Sequence, residues 1–556
     1  MTYLKQLGAQ FSRNAIKVYL ILANVLLVIF AIWFSNVGLL PFKNTGDFVF
    51  FVALALVFTL YRPGWAFVFF VGLLGLENVN LAPIGLGLAV RPYQLLGGLI
   101  LFSIALRAWL RRPAVIFPKL KWFDGLPLLF SLGGFVSGLS AVSKSTSLKQ
   151  AVVAVSFVAL YFLVRVYIQS LADLKRIAPF FLSSGLVISV YAIWQNFRFS
   201  VGGNAFEVML GRPNATFTEP DWLGVYLVFL TSIVLAIIFY CNKNCKNKKF
   251  VIFNFQFSIF NFLNYLFLII IFTALLLTVS RSAWLGAILI ILGFLKISLL
   301  YGEKTKQFFS AENGFWKNIW LVITRPWDWK QFWLALRNIF FVAVISLGIV
   351  FIFKLTNFQL ANRAQSTSGW QKITIACQGG LDVAVPQTIG SVEELANYSC
   401  RHINLEEIEK EKNLGNKILE VYRPDPNVGI RARIYAVALE QIKQHPLLGI
   451  GWGSISSILG TDERGSGLNA SNIFLEVWLG AGLLGFLAFV ILWGYLLVAS
   501  VVNFVKTNGS DAAATFVVLS LLAILIPNLF NSGIFLGFVW VFLAIAVGLL
   551  EKKKEV

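Results

Sequence analysis

Arg91, Arg212, Arg281 and Arg431 each sit at or beyond the end of an apolar run, on the side away from the dense basic clusters. None has carboxylates grouped around it in sequence. A guanidinium so placed calls for a compensating partner, and a phosphate-bearing ligand supplies one through a bidentate fork. The plainer reading is that each snorkels to lipid headgroups or caps a helix end. Glu219 and Asp221 lie close to Arg212 and are the candidates for a general base. Their plainer role is to cap the span that begins near Trp222, since a carboxylate suits the positive end of a helix. His402 falls in a polar stretch and His445 precedes Pro446, so both read as surface residues. No His/Cys spacing suits a metal and no Asp-x-Asp stands in a polar loop, so neither metal nor cofactor is expected.

The elements that must position these residues are transmembrane helices. Of 556 residues, 58% are hydrophobic and 13% charged, and the mean hydropathy is +0.77. Soluble domains carry about 25% charged residues, so this chain cannot cover a large water-facing surface. Apolar runs of bilayer length recur along it and strand-like alternation is scarce, which indicates helical spans and not a barrel. The formal charge of +20 has no basic stripe with interleaved aromatics on a polar segment, which excludes a nucleic-acid partner. The lysines and arginines instead fit the rule that basic loops stay cytoplasmic. Lys5, Arg13 and Lys17 precede the first span, near Ala15 to Phe34, which reads as a retained anchor. Later basic clusters fall at Arg107–Lys121, Lys175–Arg176, Lys243–Lys249, Lys304–Arg337 and Lys552–Lys554. One parity puts all of them on one side, giving about 14 spans with both termini cytoplasmic. No internal repeat is visible, so the inverted halves of many transporters are not supported.

The expected architecture is therefore all-α and membrane-embedded: a multi-span region over 1–358, a large extracytoplasmic loop domain of short helices over 359–470, and a C-terminal membrane region over 471–556. In the loop domain, Val392–Leu395 and Leu405–Lys412 suggest short polar helices. Ile430 to Gln444 suggests a longer one, with Ile434, Val437, Ala438 and Ile442 on one face and Pro446 as the stop. Cys377 and Cys400 share this region and are expected to pair, whereas Cys241 and Cys245 read as cytoplasmic thiols. Gly449-Ile450-Gly451-Trp452-Gly453 has no preceding strand, so its glycines serve a tight turn toward the membrane and not a nucleotide.

Several blocks carry a resemblance. Gly211-Arg212-Pro213-Asn214-Ala215-Thr216-Phe217-Thr218-Glu219-Pro220-Asp221 resembles the G-R-x-x-x-T-F-x-x-P-N segment of the O-antigen ligase and O-antigen polymerase family. Thr278-Val279-Ser280-Arg281-Ser282 is similar to that family's S-R-[ST] at a span end. Arg431-Ala432-Arg433-Ile434-Tyr435 with His445-Pro446-Leu447-Leu448-Gly449-Ile450-Gly451 resembles R-x-x-x-W followed by h-P-l-x-G-x-G. Ser471-Asn472-Ile473-Phe474-Leu475-Glu476 with Gly482-Leu483-Leu484-Gly485 resembles the H-N block followed by G-l-l-G. The resemblance covers roughly 200–486, in family order.

What it implies is a metal-independent membrane glycosyltransferase that moves a glycan from an undecaprenyl-diphosphate carrier to an acceptor hydroxyl at the outer face of the cytoplasmic membrane. Partners would be that donor, a glycan, lipid or protein acceptor, and membrane lipid. Arg212, Arg281 and Arg431 match the family's basic positions and would bind the diphosphate, with Arg433 sharing that role or covering its helix surface. Ser471 stands where the family commonly has His, and Gly480 where many members have an acidic residue. Glu219 or Asp221 is therefore the expected base. The alternatives are a lipid-linked oligosaccharide transporter and a non-catalytic family member that binds carrier lipid. A transporter predicts charged residues inside spans, and the non-catalytic reading predicts turnover-independent roles for Glu219 and Asp221.

Overall fold

A computed structural model describes residues 2–87, 89–111, 117–209, 211–244, 249–252, 255–300, 320, 327–355, 370–378, 385–403, 408–424, 426–460, 467–507, 509 and 511–551. Arg112, Cys245, Lys246, Lys248, Lys304, Lys306, Lys317, Arg325, Lys552–Lys554 and the first three residues of the expected helix Leu405–Lys412 lie outside the described residues. The chain divides into two compact units, Met1–Leu355 with Glu440–Val556, and Thr356–Leu439.

The first unit is a helix bundle. Its helices are α1 (Thr2–Asn36), α2 (Thr45–Tyr61), α3 (Pro63–Gly72), α4 (Pro92–Trp109), α5 (Gly125–Ser140), α6 (Lys144–Tyr167), α7 (Leu171–Ser200), α8 (Pro220–Asn244), α9 (Ile259–Leu277), α10 (Arg281–Leu300) and α11 (Trp329–Ile352). A two-stranded hairpin, β1 (Lys249–Ile252) with β2 (Phe255–Ser258), precedes α9 inside the expected basic loop. Local chemistry sets several starts. Pro opens α3, α4 and α8, where the missing N–H is one that no helix would use. Ser170 and Asp328 accept first-turn amides of α7 and α11.

Burial sorts the bundle. In the most apolar window of α8, 89% of residues are buried, against 17% in α1, so α8 is the axis and α1 lies at the rim. Phe50 and Val57 on α2 are exposed at 67% and 64%, a cost in water that hydrocarbon removes. Eight helices among the described residues are long and apolar enough to cross a membrane, and five shorter apolar helices accompany them. The expectation of about 14 spans is thus not reproduced by helix length. Several apolar helices fall short of a full span, α2 with 17 residues and Gly537–Leu550 with 14.

The second unit corrects the expected loop domain of short helices. Its centre is a three-stranded antiparallel sheet, with β3 (Trp370–Cys377) between β4 (Cys400–His402) and β5 (Lys417–Pro424). Ile373, Ile375 and Val421 point into a small core with Ile389 and Leu395, and a disulfide joins Cys377 to Cys400. Glu393–Tyr398 forms a short 3₁₀ turn and Ile408–Asn413 forms α12. Alternation in Lys417–Pro424 is imperfect, half-buried positions standing where a strand would show clear polar ones, so its pattern is weak.

The last helices are α13 (Pro426–Gln444), α14 (Ile455–Leu459), α15 (Ile473–Lys506), α16 (Ala512–Asn528) and α17 (Gly537–Leu550). On α13, Ile434, Ala438 and Ile442 are buried as its periodicity predicts. α5 packs closely on α15, because Gly133 has no side chain to meet Ala481 O and Gly485 N.

Candidate functional site

Arg212 is placed by a loop held at both sides. Gly211 takes φ 69°, its carbonyl accepts from Asn196 on α7, and its N–H donates to Glu207. Downstream, the Ala215 N–H donates to Gln195, and Thr216 Oγ1 donates to Gly75 O. Phe217 is fully buried against Tyr226 of α8. With the loop fixed, the buried Arg212 guanidinium reaches the end of α9, where Nε donates to Thr278 O at 3.0 Å. Its Nη2 lies 3.5 Å from Asp221 Oδ1 in the first turn of α8. Asp221 therefore faces a cation as well as a helix start, and Glu219 lies half-buried two residues before it.

The α9–α10 turn explains how Arg281 joins this region. α9 stops at Leu277, Val279 takes φ 52°, and Arg281 opens α10 half-buried. Arg212 thus grips the carbonyl three residues before Arg281. Ser282 accepts from Asn531 at 3.0 Å, tying the same turn to the segment after α16. That segment also receives Asn472, whose amide nitrogen donates to Leu529 O while its Oδ1 caps α15 through the Phe474 and Leu475 amides. Ser471 takes φ 48° beside it, and buried Glu476 accepts from the Ala470 N–H at 2.8 Å. The structure therefore brings Arg212, Asp221, Arg281, Ser471 and Asn472 to one end of one unit.

Gly480 has a packing reason. A Cβ there would stand 2.1 Å from the ring of Trp452, which is fully buried. An acidic side chain at that position has no room. Trp452 comes from the expected glycine turn, in which Gly449, Gly451 and Gly453 take φ of 67°, 85° and 75°. The turn is stitched to α15: Ile450 and Gly451 both donate to Leu479 O, and Leu483 N–H donates to Leu447 O. Gly482, at φ 63°, interrupts the helix between Leu479 and Leu483.

Arg91 leaves the ligand-binding group. Its guanidinium is 2.9 Å from Glu77 and also donates to Tyr93 and to Phe535 O. Glu77 in turn accepts from Tyr93 at 2.8 Å and from the Gly537 N–H at 2.7 Å. The carboxylate partner was hidden from a local reading by the thirteen residues between Glu77 and Arg91. Glu207 was also missed. Burial pushes its carboxyl up to about 7, against the opposing Gly211 hydrogen bond, so it titrates near neutrality while holding the residue next to Arg212. Its only sequence signal was an acid in the polar loop that also carries Glu219 and ends at Asp221. Arg431, half-buried, and Arg433, exposed, lie on α13 within the second unit, as do Cys377 and Cys400.

An apolar helix bundle with arginines, asparagines and carboxylates gathered where its helices end is an integral membrane protein with a polar site at one end. Residues 266–490 match the profile of the O-antigen ligase family. The match contains Arg281, Arg431, Arg433, Ser471 and Asn472, whereas Arg212, Glu219 and Asp221 precede it. It supports glycan transfer of the ligase or polymerase kind, and with it a membrane enzyme handling a lipid-linked glycan donor and a glycan acceptor. No curated protein matches the chain.

Proposed function

We propose that the protein transfers a glycan from undecaprenyl diphosphate to an acceptor hydroxyl at the outer face of the cytoplasmic membrane. Both termini are then cytoplasmic, about 14 segments cross the bilayer, and 359–470 is extracytoplasmic. The observation that carries the reading is the Arg212 bond to Thr278 O, which ties one family-type arginine to the helix turn that leads into the other. Arg431 and Arg433 are assigned to the same diphosphate.

The chemistry follows from charge. The acceptor oxygen attacks the anomeric carbon, the carbon–oxygen bond to the diphosphate breaks, and its electron pair stays on the phosphate oxygen. Fixed guanidinium groups stabilise that developing charge with no metal required. Diphosphate binding competes with Asp221 for Arg212, releasing the carboxylate beside the reacting centre. Asp221, or Glu219, then takes the proton of the acceptor hydroxyl.

The test is binding of an undecaprenyl-diphosphate glycan to purified wild type, Arg281→Ala and Arg431→Ala. Tight binding that falls at least about tenfold in both variants, roughly one charge-assisted hydrogen bond each, supports a shared site. Equal binding in all three overturns it.

A further inference from the structure

Far from Arg212, the first unit contains a cavity of about 500 Å³, within the range of ligand-sized pockets. Its walls are hydrocarbon, with Phe181, Phe229, Ile233, Ala236, Phe538 and Phe542 among them. Polar character is confined to Lys175, Tyr240 and Asn264. Along α8 the lining runs from Phe229 to Tyr240, a rise of about 16 Å at 1.5 Å per residue. That is close to half of a hydrocarbon core about 30 Å thick. α7 and α17 give the same direction, since Lys175 precedes Phe181 on one and Ile545 follows Phe538 on the other.

The polar rim also has a sign. Lys175 Nζ sits 4.8 Å from the Tyr240 ring, and among the described residues it has no carboxylate partner. Its neighbour Asp173 is engaged instead by Arg176 and Ser170. Tyr240 lies nineteen positions after Asp221 on α8, so this mouth is about 28 Å from the Arg212 site. A carrier whose diphosphate rests on Arg212 would have its first isoprene units in the opposite leaflet.

We infer that this cavity is a binding site for one acyl chain of an anionic phospholipid, its phosphate held by Lys175, drawn from the leaflet on the Lys175 side. A slot one leaflet deep fits an acyl chain, and a basic residue at an interhelical mouth is how membrane proteins select acidic headgroups. The site is independent of the glycan chemistry and would fix α7, α8 and α17 against one another.

Full-length protein in detergent would be titrated with phosphatidylglycerol and, separately, with phosphatidylethanolamine of the same acyl composition, and bound lipid counted by native mass spectrometry. Wild type should retain one phosphatidylglycerol with about fivefold preference, the attraction expected of one lysine. Lys175→Gln, a surface change, should bring phosphatidylglycerol down to the phosphatidylethanolamine level. Ile233→Trp should lose both lipids and the rise in unfolding temperature that phosphatidylglycerol gives wild type. Equal retention of the two lipids by wild type overturns the headgroup assignment. Unchanged phosphatidylglycerol binding by a folded Ile233→Trp overturns the cavity as its seat, and so does its displacement by stoichiometric undecaprenyl phosphate.

Discussion

Two arginine–carboxylate pairs in the first unit differ in how far each is closed. Arg91 and Glu77 meet at 2.9 Å, with Tyr93, Phe535 O and the Gly537 N–H completing the polar contacts. That pair joins the start of α4 to the start of α17, and its charges are consumed by the fold. Arg212 makes one good bond, to a backbone carbonyl, and meets Asp221 only at 3.5 Å. A contact at that distance lies at the edge of a hydrogen bond and is readily exchanged for a phosphate oxygen. The contrast teaches that an arginine against the charge gradient becomes informative only when its partner's grip is known.

The largest effect should come from breaking the closed pair. Glu77→Gln leaves a guanidinium with no counter-charge and should cost about 3–5 kcal/mol of stability, read as a fall in unfolding temperature in detergent. Transfer per folded molecule should survive it. Arg281→Ala should do the reverse, lowering glycan transfer about 10²–10³-fold with little change in unfolding temperature. If Glu77→Gln removes transfer in fully folded protein, the division between the two pairs fails.

Gly480→Ala sharpens the contrast between packing and chemistry. Its methyl group must displace the Trp452 ring, and about 1–3 kcal/mol of lost stability is expected in thermal melts. Glu207→Gln should act most gently, on the pH profile. The Glu207 carboxyl titrates near 7 when folded against 4.5 ordinarily, so the folded state holds the proton longer. Its stabilising contribution is complete below about 4.5 and is lost as pH rises through about 7. Melts of Glu207→Gln should lack that decline.

The helical bundle was legible because long apolar runs have few other outcomes, and α13 was legible because its buried face repeats at helical spacing. Strands β3 to β5 were not: β3 is buried over the consecutive positions 373–377, β4 has only three residues, and β5 alternates imperfectly. Of the site, the juxtaposition of Arg212 and Arg281 followed from motif order at span ends. The ion pair of Arg91 was not legible because Glu77 is remote in sequence, and Gly480 made sense only once Trp452 was seen to cover it. Pairing across the fold is set by geometry that a linear scan does not carry.

The interrupted helix α15 has a consequence for the order of assembly. Its broken turn is completed by Leu447, Ile450 and Gly451 and not by its own residues. Those groups leave the ribosome before Leu479 and Leu483 do, so the template is present when the helix emerges. A chain permuted to make 473–506 ahead of the 445–453 turn would have to insert a helix with unmet amides and carbonyls. Synthesis order and membrane insertion are thus matched at this joint.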